Sequence, residues 1–331
     1  MSTAGSAETQ IPKATLPGYT PLPVTVLSSV GHLGVDLYAT DEGGQHLVLY
    51  CAHDYHPSRD EWQDLLGQHV RQLFVRNSEC DRLLVKLRAE LDTIVSESTI
   101  PCTERLDVLQ LAVAGQLRTA FQLIKVDQAV THCAAVGSRI VKVLTSREAA
   151  AGELVSVLRY HRGTFTHLMN VSIYAVLLAE ALGEADEENL SAVAAGGALH
   201  DIGKRHVPTA ILDQPGKLTA RQREIIAAHP QLGFEEIRYL PGLSWGQLMM
   251  VYQHHERIDG HGYPTRVSGE KIHPWARLCA VVDVFEAMTG LRPYREPASV
   301  SRVLKMLEEE KAGNHLDVEM VRCWKRAICE G

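Results

Sequence analysis

The chain has 331 residues, 45% of them hydrophobic and 22% charged, with 25 Gly and 14 Pro; this ordinary globular composition excludes a disordered or low-complexity protein. Its net charge of −7, from 33 basic and 40 acidic residues, argues against a protein that coats polymeric nucleic acid. A small phosphate ligand stays compatible, because a bound metal reverses the local sign.

Residues 1–20 are small and polar and read as a flexible tail. From Pro21 to about Arg76, β-like runs at Val24–Leu27, Val35–Tyr38, His46–Cys51 and Gln72–Val75 alternate with turns, and Asp41-Glu42-Gly43-Gly44 suits a hairpin. Ser58 and Glu61 have capping-box spacing ahead of Trp62, Leu65 and Leu66, which predicts one helix among these strands. Residues 21–78 therefore read as a small α/β N-terminal domain with a regulatory role. Beyond Asp81 the apolar period turns helical. Leu83, Leu84, Leu87, Leu91 and Ile94 form one stripe, and Thr103 is placed to cap a helix through Leu106, Leu109 and Leu117. Residues 79–150 read as a helical connector, through which the chain is expected to form a homodimer. Seven scattered Cys without a CxxC pair predict a reduced protein rather than a disulfide framework. The longest apolar run, Val171–Leu182, is broken by Glu180 and falls short of the ~18 to 20 residues of a membrane span. With no signal-peptide core at the start, the expectation is a cytoplasmic protein without a membrane segment.

Residues 151–331 carry the chemistry, and the 16 His are its first sign. His167 starts an apolar-periodic segment with Val171, Ile173 and Leu177. His200-Asp201 ends a segment containing Leu190, Val193 and Leu199, with Gly203 expected as a left-handed cap. His229 closes a helical stretch capped by Thr219, and Pro230 is expected to stop it. His254-His255-Glu256 ends another stretch and enters the loop Asp259-Gly260-His261-Gly262-Tyr263-Pro264. Pro274 opens a last helix in which Asp283 falls among apolar residues, where an unpaired carboxylate is costly. Each residue alone has a plain structural alternative, such as a solvated helix end. Together, five His and two Asp beside helices supply about seven ligands to two metals, with Asp201 as the bridge.

These words resemble the HD-GYP family, a branch of the HD metal-dependent phosphohydrolases. The match runs through His200-Asp201-Ile202-Gly203-Lys204, Val207 to Leu212, His229 to Gly233, His254 to Pro264 and Asp283 to Arg295. The resemblance implies a mainly α fold, with a helical HD-type bundle over 151–331. It implies hydrolysis of cyclic di-GMP to pGpG, and onward to GMP in some members, by attack of a hydroxide that bridges two metals. His167, His200, Asp201 and Asp283 match the ligands of one metal, and Asp201, His229, His254 and His255 those of the other. Asp201 and Lys204 take catalytic positions. Lys204, Arg292 and Arg295 match groups near the substrate phosphates, and Tyr263 belongs to the signature loop, where it can meet a guanine. The ligands suit Fe or Mn, with Zn, Ni and Co as further candidates.

The sequence departs from the pattern at three places. Gly163 stands where trinuclear members carry Glu, so two metals are expected rather than three. Leu168 replaces a common Ser, and Glu286 a common Asp. Two alternatives remain: a receptor that binds cyclic di-GMP without cutting it, and an HD phosphohydrolase of another nucleotide. Cyclase or adaptor partners are expected from the signalling context, although no partner motif is visible.

Overall fold

A computed structural model describes residues 18–41, 46–123, 125–147, 149–158, 164–214, 216–291, 296–309 and 315–330. The chain divides into two compact units, residues 1–90 and 91–331.

The first unit holds a four-stranded antiparallel sheet in the order β1-β4-β2-β3, with β1 at Tyr19–Pro23, β2 at Leu37–Thr40, β3 at Leu47–Cys51 and β4 at Gln72–Arg76. β4 is an interior strand, and its Leu73, Phe74 and Val75 are all buried, as the continuous apolar run of an interior strand should be. β3 lies at the edge and leaves Val48, Leu49 and Tyr50 exposed.

The tail expectation is corrected at its end, because Tyr19 and Thr20 already pair with Arg76 and Val75; residues 1–17 lie outside the described residues. Val24–Leu27 is not a strand but the short helix α1, Val24–Ser28. Pro23 ends the strand, and the helical turn buries Val24, Val26 and Leu27 together, while Ser28 and Ser29 hydroxyls donate to the Thr25 carbonyl. β2 begins two residues later than its sequence period suggests, and the turn tip 42–45 lies outside the described residues. Helix α2, Arg59–Gly67, carries the expected capping box, with Ser58 Oγ accepting from Glu61 N and Glu61 Oε2 accepting from Ser58 N.

Helix α3, Asn77–Ser96, follows, with Leu83, Leu87, Leu91 and Ile94 buried. Helix α4, Cys102–Leu123, starts one residue before Thr103, which is therefore inside the helix and not its cap; the Pro101 carbonyl accepts from Arg105 N. Next come α5 at Val126–Thr145, α6 at Ala151–Leu158, α7 at Thr164–Ala181 and α8 at Glu187–Leu199. Five short or medium helices continue the bundle: α9 at Thr209–Leu212, α10 at Ala220–Ala227, α11 at His229–Ile237, α12 at Trp245–Gln253 and α13 at Pro274–Thr289. Helices α14, Val300–Glu308, and α15, Val318–Glu330, close the chain.

Helix α8 is the hub, and its sequence explains why. Ala194, Ala195, Gly196, Gly197 and Ala198 are all buried, and such small residues let neighbouring helices come close while the interior stays densely packed. A Cβ on Gly137 of α5 would meet the Ser191 carbonyl at 2.4 Å, and one on Gly197 would meet the Ser172 backbone of α7 at 2.9 Å. Behind them Tyr174, Phe285 and Trp324 pack edge to face or tilted, with centroids 5.3 to 5.7 Å apart, and tie α7, α13 and α15 into one core. The expected fold class, a helical bundle with a small α/β element ahead of it, is what the chain adopts. Among the described residues no helix is long and apolar enough to cross a membrane.

Candidate metal centre

Four helix ends and one helix face bring the site together. His167 sits in the first turn of α7, which is buried almost throughout. Helix α8 starts at the Asp186 cap, whose side chain accepts from Asn189 N, and ends by presenting His200 and then Asp201. The chain then tightens into a 3-10 turn, Ile202–His206. Gly203 lies in that turn and is not a left-handed cap; φ is not positive there. Its missing side chain matters for space, since a Cβ would fall 1.9 Å from the His229 carbonyl oxygen and 2.6 Å from Gly233 N. This contact seats the start of α11 against Asp201. Pro230 likewise opens α11 at its first turn instead of only stopping the helix before it, where its missing N–H costs nothing. Helix α12 ends at Gln253, with His254 as its cap and His255 next in the chain, and Asp283 and Glu286 lie one turn apart on α13.

Asp201 stands between two groups of donors. Its Oδ2 is 3.4 Å from His200 Nε2 and 3.9 Å from His167 Nε2. Its Oδ1 is 3.2 Å from His229 Nε2 and 3.8 Å from His254 Nε2. Asp283 Oδ1 lies 3.2 Å from His167 Nε2 and 3.9 Å from His200 Nε2. His167, His200 and Asp283 form one cluster whose ligand atoms lie within 4.8 Å of one another, and His229, His254 and His255 form a second; His200, Asp201 and His254 form a third between them.

The outer nitrogens orient these rings. His200 Nδ1 faces the Gly197 carbonyl at 2.7 Å, His229 Nδ1 the Ile226 carbonyl at 2.7 Å, and His254 Nδ1 the Met250 carbonyl at 2.9 Å. A carbonyl only accepts, so each Nδ1 carries the proton and each Nε2 turns a lone pair inward, unless a second proton occupies it. His229 Nε2 and His254 Nε2 face each other at 3.2 Å, and the buried Asp201 Oδ1 makes no hydrogen bond. Inward lone pairs and an orphaned carboxylate oxygen are the donor set a divalent cation satisfies, so these residues fit a metal.

The electrostatics agree with metal-binding forms at Asp201, Asp283, His254 and His255, and oppose one at His167. Burial raises the Asp201 carboxyl, but the Lys204 ammonium outweighs it and holds the group well below the usual carboxylate range. Asp283 is likewise low despite burial, because of His167. Burial, with the neighbouring imidazoles, keeps His254 neutral, and burial lowers His255 to about 4. His167 goes the other way: burial opposes its charge, but Asp283 and Glu286 push it up to about 9.

The remaining expected residues fall beside this cluster. Lys204 Nζ donates to Asp201 Oδ2 at 2.5 Å, with a third of its side chain exposed. The Tyr263 ring lies 4.8 Å from that of His255, and Tyr263 N donates to the His255 carbonyl at 3.1 Å. Arg292, Arg295 and Gly163 lie outside the described residues. Two residues that the sequence reading did not place in the site belong to its support. Glu286 Oε2 binds His167 Nδ1, and its spacing of three from Asp283 was the available signal. Glu256 Oε1 accepts from Thr265 N and Thr265 Oγ1, both at 2.6 Å, and from Arg266 N at 3.0 Å, which pins the loop after Pro264.

The HD domain family model matches residues 141–320, more than half of the chain and all seven clustered His and Asp residues. The chain belongs to the HD domain family. Among curated relatives of this HD domain protein, the cyclic di-GMP phosphodiesterase response regulator RpfG of Xanthomonas campestris is 37% identical over 151 residues, which cover 45% of this chain and 39% of that protein. The 3'3'-cGAMP-specific phosphodiesterase 2 of Vibrio cholerae is 33% identical over 182 residues, 54% of this chain and 34% of that one. The chain thus spans between about a third and two fifths of the length of these relatives. Among solved structures, Bd1817, an HDG"Y"P protein of Bdellovibrio bacteriovorus, superposes with a TM-score of 0.64 at 18% identity, covering 95% of this chain and 100% of that one, and shows a shared fold.

Proposed function

We propose that this chain is a metal-dependent phosphodiesterase that hydrolyses cyclic di-GMP to pGpG, and onward to GMP. The observation that carries this reading is Asp201, which turns one oxygen toward each of two facing groups of imidazoles. His167, His200, Asp201 and Asp283 would hold one divalent ion, and Asp201, His229, His254 and His255 the other, Fe or Mn being the first choice. Such a pair of ions supplies activated water near neutral pH and offsets charge on phosphoryl oxygens.

The chain's own residues then have distinct tasks. Lys204, beside Asp201 and partly exposed, places its ammonium where it can meet a phosphoryl oxygen and the charge that grows there. The carbonyls of Gly197, Ile226 and Met250 hold three rings in the orientation a ligand needs before any substrate arrives. Tyr263, anchored through its backbone to His255, offers an aromatic face to a guanine. Arg292 and Arg295 are assigned to the phosphates by their place in the sequence motif. Residues 21–78 are assigned a regulatory role and residues 79–150 the part of connector and homodimer contact. A cytoplasmic setting is supported by seven Cys that are all free.

The test is incubation of the full chain, loaded anaerobically with Fe(II) or Mn(II), with cyclic di-GMP and with 3'3'-cGAMP, the products being resolved over time. Appearance of pGpG before GMP, with about two ions per chain, is the expected result. Tight binding without turnover at every metal tried would replace the enzyme by a receptor. Turnover of 3'3'-cGAMP alone would move the substrate to the mixed dinucleotide.

A further inference from the structure

A line of buried polar side chains leads away from the site into a helix that the HD domain match does not include. Gln110 lies on α4, ahead of residue 141 where that match begins, and is 2% exposed. Its Nε2 donates to Asn170 Oδ1 at 2.6 Å. Asn170, on α7 one turn after His167, donates through Nδ2 to Glu286 Oε1 at 3.3 Å and to the Leu158 carbonyl at 3.4 Å. The other oxygen of Glu286 binds His167 Nδ1. Asn170 and Glu286 are, like Gln110, deeply buried. Gly290 leaves the carboxylate its room, because a Cβ there would fall 2.5 Å from Glu286 Oε1.

The polarity of this line is directional. An amide offers an acceptor on one side and donors on the other, and its orientation follows from its partners. By giving a donor to Asn170 Oδ1, Gln110 turns the Asn170 NH2 toward the carboxylate. With the amide reversed, two oxygens would face each other in a dry interior, which is costly. Gln110 Oε1 is itself buried without a hydrogen bond, so the side chain retains an unsatisfied acceptor while its donor serves Asn170.

We infer that Gln110 is a positioning residue for the metal centre: through Asn170 and Glu286 it sets the His167 imidazole, and so couples α4 to the ligand set. This rests on the metal reading above. Partners of this kind around a ligating His change metal affinity by about 10 to 100-fold when removed.

The experiment titrates the metal-free full chain with Co(II), following the visible absorption that reports ligand geometry, for wild type, Gln110→Met, Asn170→Ala, Glu286→Gln and the Gln110→Met/Glu286→Gln double variant. Circular dichroism of each metal-free variant checks folding. Glu286→Gln should weaken one Co(II) equivalent by about 10 to 100-fold, and Gln110→Met should weaken the same equivalent by about three to tenfold. The double variant should match Glu286→Gln alone within about twofold, because the residues act in series. Should Gln110→Met fail to fold, Asn170→Ala carries the same expectation and the same comparison with Glu286→Gln. An unchanged affinity and spectrum in Gln110→Met, or losses that multiply in the double variant, would overturn the coupling while leaving the metal reading in place. A wild type that takes up no Co(II) would overturn the metal reading itself, and the coupling with it.

Discussion

Replacing Asp201 by Asn probes the site at its centre. The change keeps the volume and one oxygen but removes the charge that faces His200 Nε2 at 3.4 Å on one side and His229 Nε2 at 3.2 Å on the other. In the metal-free chain two effects oppose each other. The Lys204 ion pair is lost, but a carboxylate only 7% exposed no longer has to be desolvated and the partly exposed ammonium can return to water, so the two effects partly offset. With metal present the balance differs. An ion at about a thousand times its dissociation constant stabilises the folded chain by about 4 kcal/mol, and this depends on the charge that is removed. The variant should therefore unfold close to wild type without metal and lose most of the upward shift that Mn(II) confers. If the same charge sustains about 4 kcal/mol of transition-state stabilisation, turnover of cyclic di-GMP falls about a thousandfold. Thermal unfolding with and without Mn(II), metal content and product formation measure all three quantities. An Asn variant with the wild-type Mn(II) shift and wild-type turnover would refute the role given to this carboxylate.

Three further outcomes follow from single contacts. Glu256→Ala removes the acceptor for three donors of Thr265 and Arg266, a loss of about 3 kcal/mol from the loop; metal content should stay near wild type while KM rises, and unchanged kinetics would show that the loop needs no such anchor. Gly203→Ala drives a Cβ to 1.9 Å from the His229 oxygen and should cost about 3 kcal/mol or more, read as a lower denaturant midpoint. In the first unit, the His53 backbone N–H donates to Asp36 at 2.8 Å and holds its carboxyl below the usual range. A depressed folded pKa stabilises above the unfolded value of about 3.9 and is lost as pH falls through the folded one. Asp36→Asn should thus be less stable than wild type near neutrality, with the gap closing in acid; a gap independent of pH would contradict it.

The candidate ligand residues stand out in the sequence because their types are uncommon at such positions. A His-Asp pair at a helix end, two successive His before a Gly-rich loop, and an Asp in an apolar helix are each poorly explained by packing. Local period also sufficed for most helices, since α3 and α5 show their buried stripes in the sequence itself. It failed at Val24–Leu27, where β-branched residues fold into a helix because tertiary burial of Val24, Val26 and Leu27 outweighs their strand preference. It failed again at Gly203, whose sequence context suggests a cap; only the approach of His229 shows that the residue is needed for clearance.

Amino-acid order alone singled out the candidate metal-binding side chains and roughly where the helices lie, because both depend on residue type and on neighbours within a few positions. The packed structure decided what each of those side chains faces. That Asp201 points to both groups, that Glu286 holds His167, and that Gln110 reaches the same line from α4 are relations between residues up to 119 positions apart. No local pattern encodes them, since such distances are set only when the helices close on one another around α8.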